Sequence, residues 1–132
     1  TQFARTFVYT TAIPAPLAAA ACEAVRIARE EDGRRAQSRA LIARFRAGSA
    51  QLSLPLTDST TAIQPIVLGD AERTVAASRA LEEKGFLVAA IRPPTVPVGK
   101  ARLRVALSAA HDATDVDRLL DALAQLPGHA IT

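Results

Sequence analysis

The sequence predicts an α/β (α+β) fold: a small, mainly antiparallel sheet with helices packed on one face. Three observations point there. From Ala62 onward, segments of strand and helix character follow in the order β-α-β-β-α, and two helical segments precede them. The stretch "ARLRVAL" alternates, with Leu103, Val105 and Leu107 on one side and Arg102 and Arg104 on the other. The last segment carries Val116, Leu119, Leu120 and Leu123 as a helical stripe, which needs a shared apolar surface.

The elements follow in order. "FARTFVYTT" is aromatic and β-branched and predicts a strand with Phe3, Phe7 and Tyr9 on one side. Pro14 and Pro16 suit the first turn of a helix, where a missing N–H costs little. Leu17, Ala21, Ala24 and Ala28 continue that helix to a polar break at "EEDGRR". Leu41, Phe45, Gly48 and Leu52 mark a second helix, ended by the loop "SLPLTDSTT". "AIQPIVLG" predicts a short strand whose Pro65 places it at an edge or at the strand's start. Asp70 caps the next helix, which closes with Lys84 before Gly85. "FLVAAI" predicts a buried strand, "ARLRVAL" an exposed-faced one, and Thr114 opens the final helix with Asp115 and Asp117 near its positive end.

Composition narrows the class. At 132 residues the chain suits one domain or the end piece of a larger one. Only 4% of it is aromatic, so its core rests on aliphatic side chains. The net charge of +3 allows an anionic ligand without requiring one. A single cysteine, Cys22, excludes an internal disulfide framework and suits a cytoplasmic location. The longest apolar stretch, Ala12 to Cys22, is too short to cross a bilayer and holds two prolines. His111 and His129 lack a cluster of partners at metal-ligand spacing, so no metal is expected. The arginines from Arg26 to Arg46 are interleaved with Glu23, Glu30, Glu31 and Asp32 and lack aromatic stacking partners, which favours a solvated helix face over a nucleic-acid surface.

The chemistry concentrates in "AIRPPTVPVGKARLRVALSAAH". A residue before proline is pushed out of the α region, so Arg92 is extended at a strand end. Pro93, Pro94 and Pro97 stiffen the loop beside it. A guanidinium held this way matches a carboxylate with little entropy left to lose. The plainer alternative is a rigid hairpin whose arginine faces water.

The same stretch closely resembles the C-terminal signature of the pyridoxal-phosphate-dependent α-oxoamine synthases. "RTFVYTTAIPAP", "LIARFRAG" and "AIQPIVLGD" fit that family in order and spacing, so the resemblance covers essentially the whole chain. It implies the small C-terminal domain of a fold-type I enzyme, with pyridoxal 5'-phosphate bound mainly by a domain this chain does not contain. Residues 1–13 would then be a strand and loop of that missing domain, 14–50 linking helices, and 51–132 the small domain. Arg92 and Thr95 are implied as substrate-binding residues. Thr10 and Thr11 are implied as the hydroxyl pair reaching the cofactor phosphate, with Ala12 where many relatives carry serine.

The family's Schiff-base lysine is implied to lie upstream, since Lys84 and Lys100 both fall outside its motif. No catalytic residue is therefore expected in this chain, and the fragment alone is expected to be inactive. The "IRPPTVP" form points to the biotin-pathway branch, in which L-alanine condenses with a pimeloyl thioester and carbon dioxide leaves. A homodimer is implied as well. Two alternatives stay open: a glycine C-acetyltransferase-like member of the family, and a stand-alone, non-catalytic α/β binding module.

Overall fold

The computed structural model describes Phe3 and residues 11–126. The expected opening strand, with Phe7, Tyr9 and Thr10, lies outside the described residues, as does His129. The chain forms two compact units, residues 1–33 and 34–132.

The first unit is carried by helix α1, Ala15–Glu30. Pro14 occupies its N-cap position, and its carbonyl accepts from the N–H groups of Leu17 and Ala18 at 3.0 and 3.1 Å. The prolines at the start remove only N–H groups that a first turn leaves unpaired anyway. Arg26 bonds both Glu23 and Glu30 along one face, an arrangement that holds the Glu23 carboxyl below its ordinary range. No residue of α1 is buried.

The second unit holds all but the first two residues of helix α2 (Asp32–Gln51), strand β1 (Ile63–Gly69), helix α3 (Ala71–Glu83), strands β2 (Ala89–Ile91) and β3 (Ala101–Ala106), and helix α4 (Ala113–Ala124). The expected β-α-β-β-α order is present, and the sheet is antiparallel with β3 in the centre, in the order β1-β3-β2. Pro65 therefore sits on an edge strand, where its missing N–H breaks no central ladder.

Register explains the one-sided core. Gln64 faces Val105, while Ile66 and Ala90 face Leu103 from either side. Ala101, Leu103 and Val105 are all buried, whereas Arg102 and Arg104 point to the other face. Leu41, Ile42 and Phe45 of α2, Leu81 of α3, and Val116, Leu119 and Leu123 of α4 complete one continuous core. Phe45, Leu81 and Leu103 are fully enclosed.

Three boundaries differ from expectation. The break between the first two helices shrinks to Glu31, and "DGRR" is the first turn of α2, where Asp32 favours the positive helix end. The run "FLVAAI" is a strand only from Ala89. Leu87 lies at 92% exposure, because Gly85 turns the chain at a positive φ and Phe86 N–H is spent on Leu81 O. Helix α4 opens one residue before Thr114, capped by Asp112. The Asp112 and Asp115 carboxylates each accept from the other's N–H, a reciprocal box that outcompetes a threonine cap.

Candidate functional site

The hairpin between β2 and β3, residues 92–100, brings the expected site residues of the second unit together. The β2–β3 ladder ends at the pair Ile91 and Arg102, so Arg92 is the first residue beyond it. Two short turns make up the hairpin. Thr95 N–H donates to Arg92 O at 3.0 Å, and Lys100 N–H donates to Pro97 O at 3.1 Å. The peptide bond between Pro93 and Pro94 is cis. Gly99 takes a φ of 75°, which a side chain would strain, and its carbonyl lies 3.6 Å from where a Cβ on Gly69 would stand. The hairpin thus lies close against the bulged end of β1, where the β1–β3 register shifts between Val67 and Gly69.

Arg92 and Thr95 are exposed, and the Arg92 guanidinium has no hydrogen bond or ion pair among the described residues. Its five donors are free for a ligand. Charge favours an anion here, because no acidic residue occurs from Gly85 to His111, a stretch that holds Arg92, Lys100, Arg102 and Arg104. The Nε of Arg102 donates to the Lys100 carbonyl at 3.0 Å. Arg104, on the central strand's uncovered face, is exposed and likewise without a partner among the described residues. Alternation alone put both arginines on that face. It carried no signal that one bonds a nearby carbonyl while the other has no partner among the described residues.

Thr11 is exposed, so its hydroxyl is open to a phosphate, and it belongs to the first unit, whereas the hairpin belongs to the second. Of the two lysines, Lys84 ends α3 with its ammonium bonded to Gln125 Oε1 at 2.6 Å, and Lys100 lies in the hairpin.

A cavity of about 300 Å³ opens at the opposite end of β3 from the hairpin, lined by Phe86, Leu87, His111, Asp115 and Arg118 among others. Its polar groups are largely committed. His111 Nδ1 accepts from Ser108 N–H at 3.2 Å, Asp115 is held in the capping box, and the Arg118 guanidinium lies 5.7 Å from the Phe86 ring centre. None of the expected site residues lines it. Among the described residues there is no group of three His, Cys, Asp or Glu able to hold a metal, and no helix is long and apolar enough to cross a membrane.

Residues 1–123 match the model of the family described as aminotransferase class I and II. The chain belongs to that family. Among curated proteins it is 60% identical over 127 residues to 8-amino-7-oxononanoate synthase of Alkalilimnicola ehrlichii, covering 96% of this chain and 32% of the relative. It is 59% identical to the Marinobacter nauticus protein of the same name, over 94% of this chain and 32% of that one. The chain therefore spans about a third of the length of the curated relatives it matches.

Solved structures agree on the fold. An 8-amino-7-oxononanoate synthase from Francisella tularensis superposes with a TM-score of 0.80 at 26% identity, over 94% of this chain and 36% of that one. Sphingomonas wittichii serine palmitoyltransferase gives 0.85 at 29%, over 91% and 31%. A serine palmitoyltransferase of S. paucimobilis, solved with PLP and myriocin bound together, gives 0.81 at 24% over 88% and 30%, a likeness of fold alone.

Proposed function

We propose that this chain is the C-terminal part of an 8-amino-7-oxononanoate synthase, a pyridoxal-phosphate-dependent acyltransferase of biotin biosynthesis. The complete enzyme joins L-alanine to a pimeloyl thioester, with loss of carbon dioxide and release of the thiol carrier. The observation that carries this reading is the identity of 60% and 59% to two curated proteins of that name, over 96% and 94% of this chain.

In this reading residues 51–132 are the small domain of a fold-type I enzyme, residues 14–50 link it to a cofactor domain, and the enzyme is a cytoplasmic homodimer. Arg92 receives the α-carboxylate of alanine, and Thr95 lines the same loop. The task of the hairpin is binding and orientation, because a guanidinium neither gives nor takes a proton at neutral pH. Bidentate contact fixes the plane of the carboxylate and with it the directions of the bonds at Cα. Thr10 and Thr11 donate hydroxyls to the phosphate of the cofactor, which when bound supplies the electron sink for negative charge at Cα.

A second reading of the carboxylate site is favoured by one observation. Arg104 is also unpartnered among the described residues and stands on the central strand, which is better fixed than a hairpin. In that reading Arg104 shares or takes over the carboxylate.

The complete enzyme tests the activity itself. Supplied with L-alanine and a pimeloyl thioester, it releases free thiol and carbon dioxide in equal amounts. Faster turnover of glycine with acetyl-coenzyme A would overturn the assignment in favour of a glycine C-acetyltransferase. Turnover of neither pair would favour a binding module.

A further inference from the structure

The β2–β3 ladder stops one step short of where the two chains could continue it. Its last pair at the end away from the hairpin is Ala89 with Arg104, so the next bonded pair would be Leu87 with Ala106. Ala106 is aimed for that pair. Leu107 N–H donates to Ala62 O at 2.9 Å on the β1 side, and bonded sides alternate along a strand, so the backbone groups of Ala106 face β2. Leu87 is kept from it. Phe86 N–H turns back to Leu81 O and Val88 N–H closes on Phe86 O, and no hydrogen bond joins Leu87 to Ala106 among the described residues. The cavity of about 300 Å³ opens at this gap and reaches α4, with Leu87 and Ala106 both in its wall.

Its wall divides into donors and hydrocarbon. Leu87 and Ala106 each keep a backbone N–H without a partner among the described residues. Ser108 N–H donates to His111 Nδ1, so that nitrogen carries no proton and Nε2–H is the donor the ring has left. The Arg118 guanidinium lies over the Phe86 ring, a contact that spends the face of the ring and none of the N–H groups. It has no hydrogen bond or ion pair among the described residues. The one acid in the wall, Asp115, has Oδ2 turned to Asp112 N–H at 3.1 Å. Val88, Val105, Val116 and Leu119, all buried, supply the apolar side.

We propose that this cavity binds a short aliphatic monocarboxylate, its carboxylate facing Arg118 and the open N–H groups at the gap, its hydrocarbon chain laid along Val88, Val105, Val116 and Leu119. An apolar wall with a few convergent polar groups is the ordinary makeup of a small-molecule site, and the volume stands at the lower end of the range for one. The free charge in the wall is a guanidinium, whose fork fits a planar carboxylate. Asp115 disfavours a ligand of higher negative charge, and the hydrocarbon floor gives a small inorganic anion nothing to bury. The site lies at the opposite end of β3 from Arg92, and nothing in it depends on how the hairpin is used.

The test is a titration of the complete protein, labelled at its leucine and valine methyl groups, with hexanoate followed by NMR. Saturable shifts are expected at the methyls of Val88, Val105, Val116 and Leu119, with none at Val67, Val96 or Val98 beside the hairpin. Hexanol, which keeps the chain and drops the charge, is expected to bind about tenfold more weakly or worse, and hexylamine more weakly still. Arg118 is exposed on α4, so Arg118→Ala is expected to keep its Tm while its affinity for hexanoate falls about tenfold or more. Shifts that do not saturate, or that appear at the hairpin valines instead, would overturn the proposal. So would an unchanged affinity in Arg118→Ala, or hexylamine binding as tightly as hexanoate, which would make Asp115 and not Arg118 the group that selects the ligand.

Discussion

Gly48 and Leu120 meet where α2 and α4 pack, so closely that a Cβ at position 48 would overlap the Leu120 Cδ1 methyl. Phe45 of α2 is fully buried and Leu119 and Leu123 of α4 nearly so, and the glycine lets these rows approach. The overlap is with the end of a flexible, half-buried leucine side chain, which can turn aside, so Gly48→Ala is expected to change stability by less than about 1 kcal/mol, the better helix propensity of alanine offsetting the moved methyl. Urea unfolding measures it. A fall of more than about 2 kcal/mol would mean that Leu120 is locked in place.

Gln64 and Arg46 form a second such relationship. Gln64 is completely buried on the core face of β1. Its amide donates to Ser59 O at 3.0 Å and Thr61 O at 2.7 Å, while its carbonyl accepts from Arg46 at 3.0 Å. Arg46 also reaches Thr57 O and Ser59 O. Gln64→Leu keeps the volume but removes the donor to Thr61 O, one of two donors to Ser59 O and one acceptor of Arg46, and is expected to cost about 1–2 kcal/mol. Hydrogen exchange should rise locally over residues 57–61.

The ion pair of Arg44 with Asp117 joins α2 to α4 through two bonds of 2.6 Å. Hydrogen bonding to Arg44 holds the Asp117 carboxyl below its ordinary range, against a smaller opposing effect of burial. A carboxyl whose folded value is depressed stabilises above its unfolded value and loses that contribution as pH falls through the folded one. Both side chains are about half exposed, so the effect is small and screened by salt. Wild type is expected to melt slightly above Asp117→Asn at neutral pH and low salt. The gap closes as acid is added below the usual carboxylate range, and also at molar salt.

Much of this was legible from local pattern. The alternation of "ARLRVAL" fixed which face of β3 is buried, Pro65 marked β1 as an edge, and the stripe from Val116 to Leu123 marked α4. What pattern could not give were relationships across the chain. Gln64 sits among core positions because its partners come from a loop and from α2, and no period in β1 announces them. "FLVAAI" read as a buried run, yet Leu87 is exposed because the turn at Gly85 delays the ladder to Ala89. At the hairpin, the placement of Arg92 at a strand end beside prolines was legible, while the unpartnered state of Arg104 depends on how the strands pair.

The central claim is that the guanidinium at the end of β2 holds the carboxylate of alanine, and the alanine KM of Arg92→Ala in the complete enzyme tests it most directly. Loss of a charge-assisted bidentate contact predicts a rise of about tenfold or more, with the thioester KM unchanged. Arg104→Ala measured beside it shows whether the two share the load. An alanine KM equal to wild type in Arg92→Ala, with the rise found in Arg104→Ala instead, would contradict the account and move the carboxylate site onto the central strand.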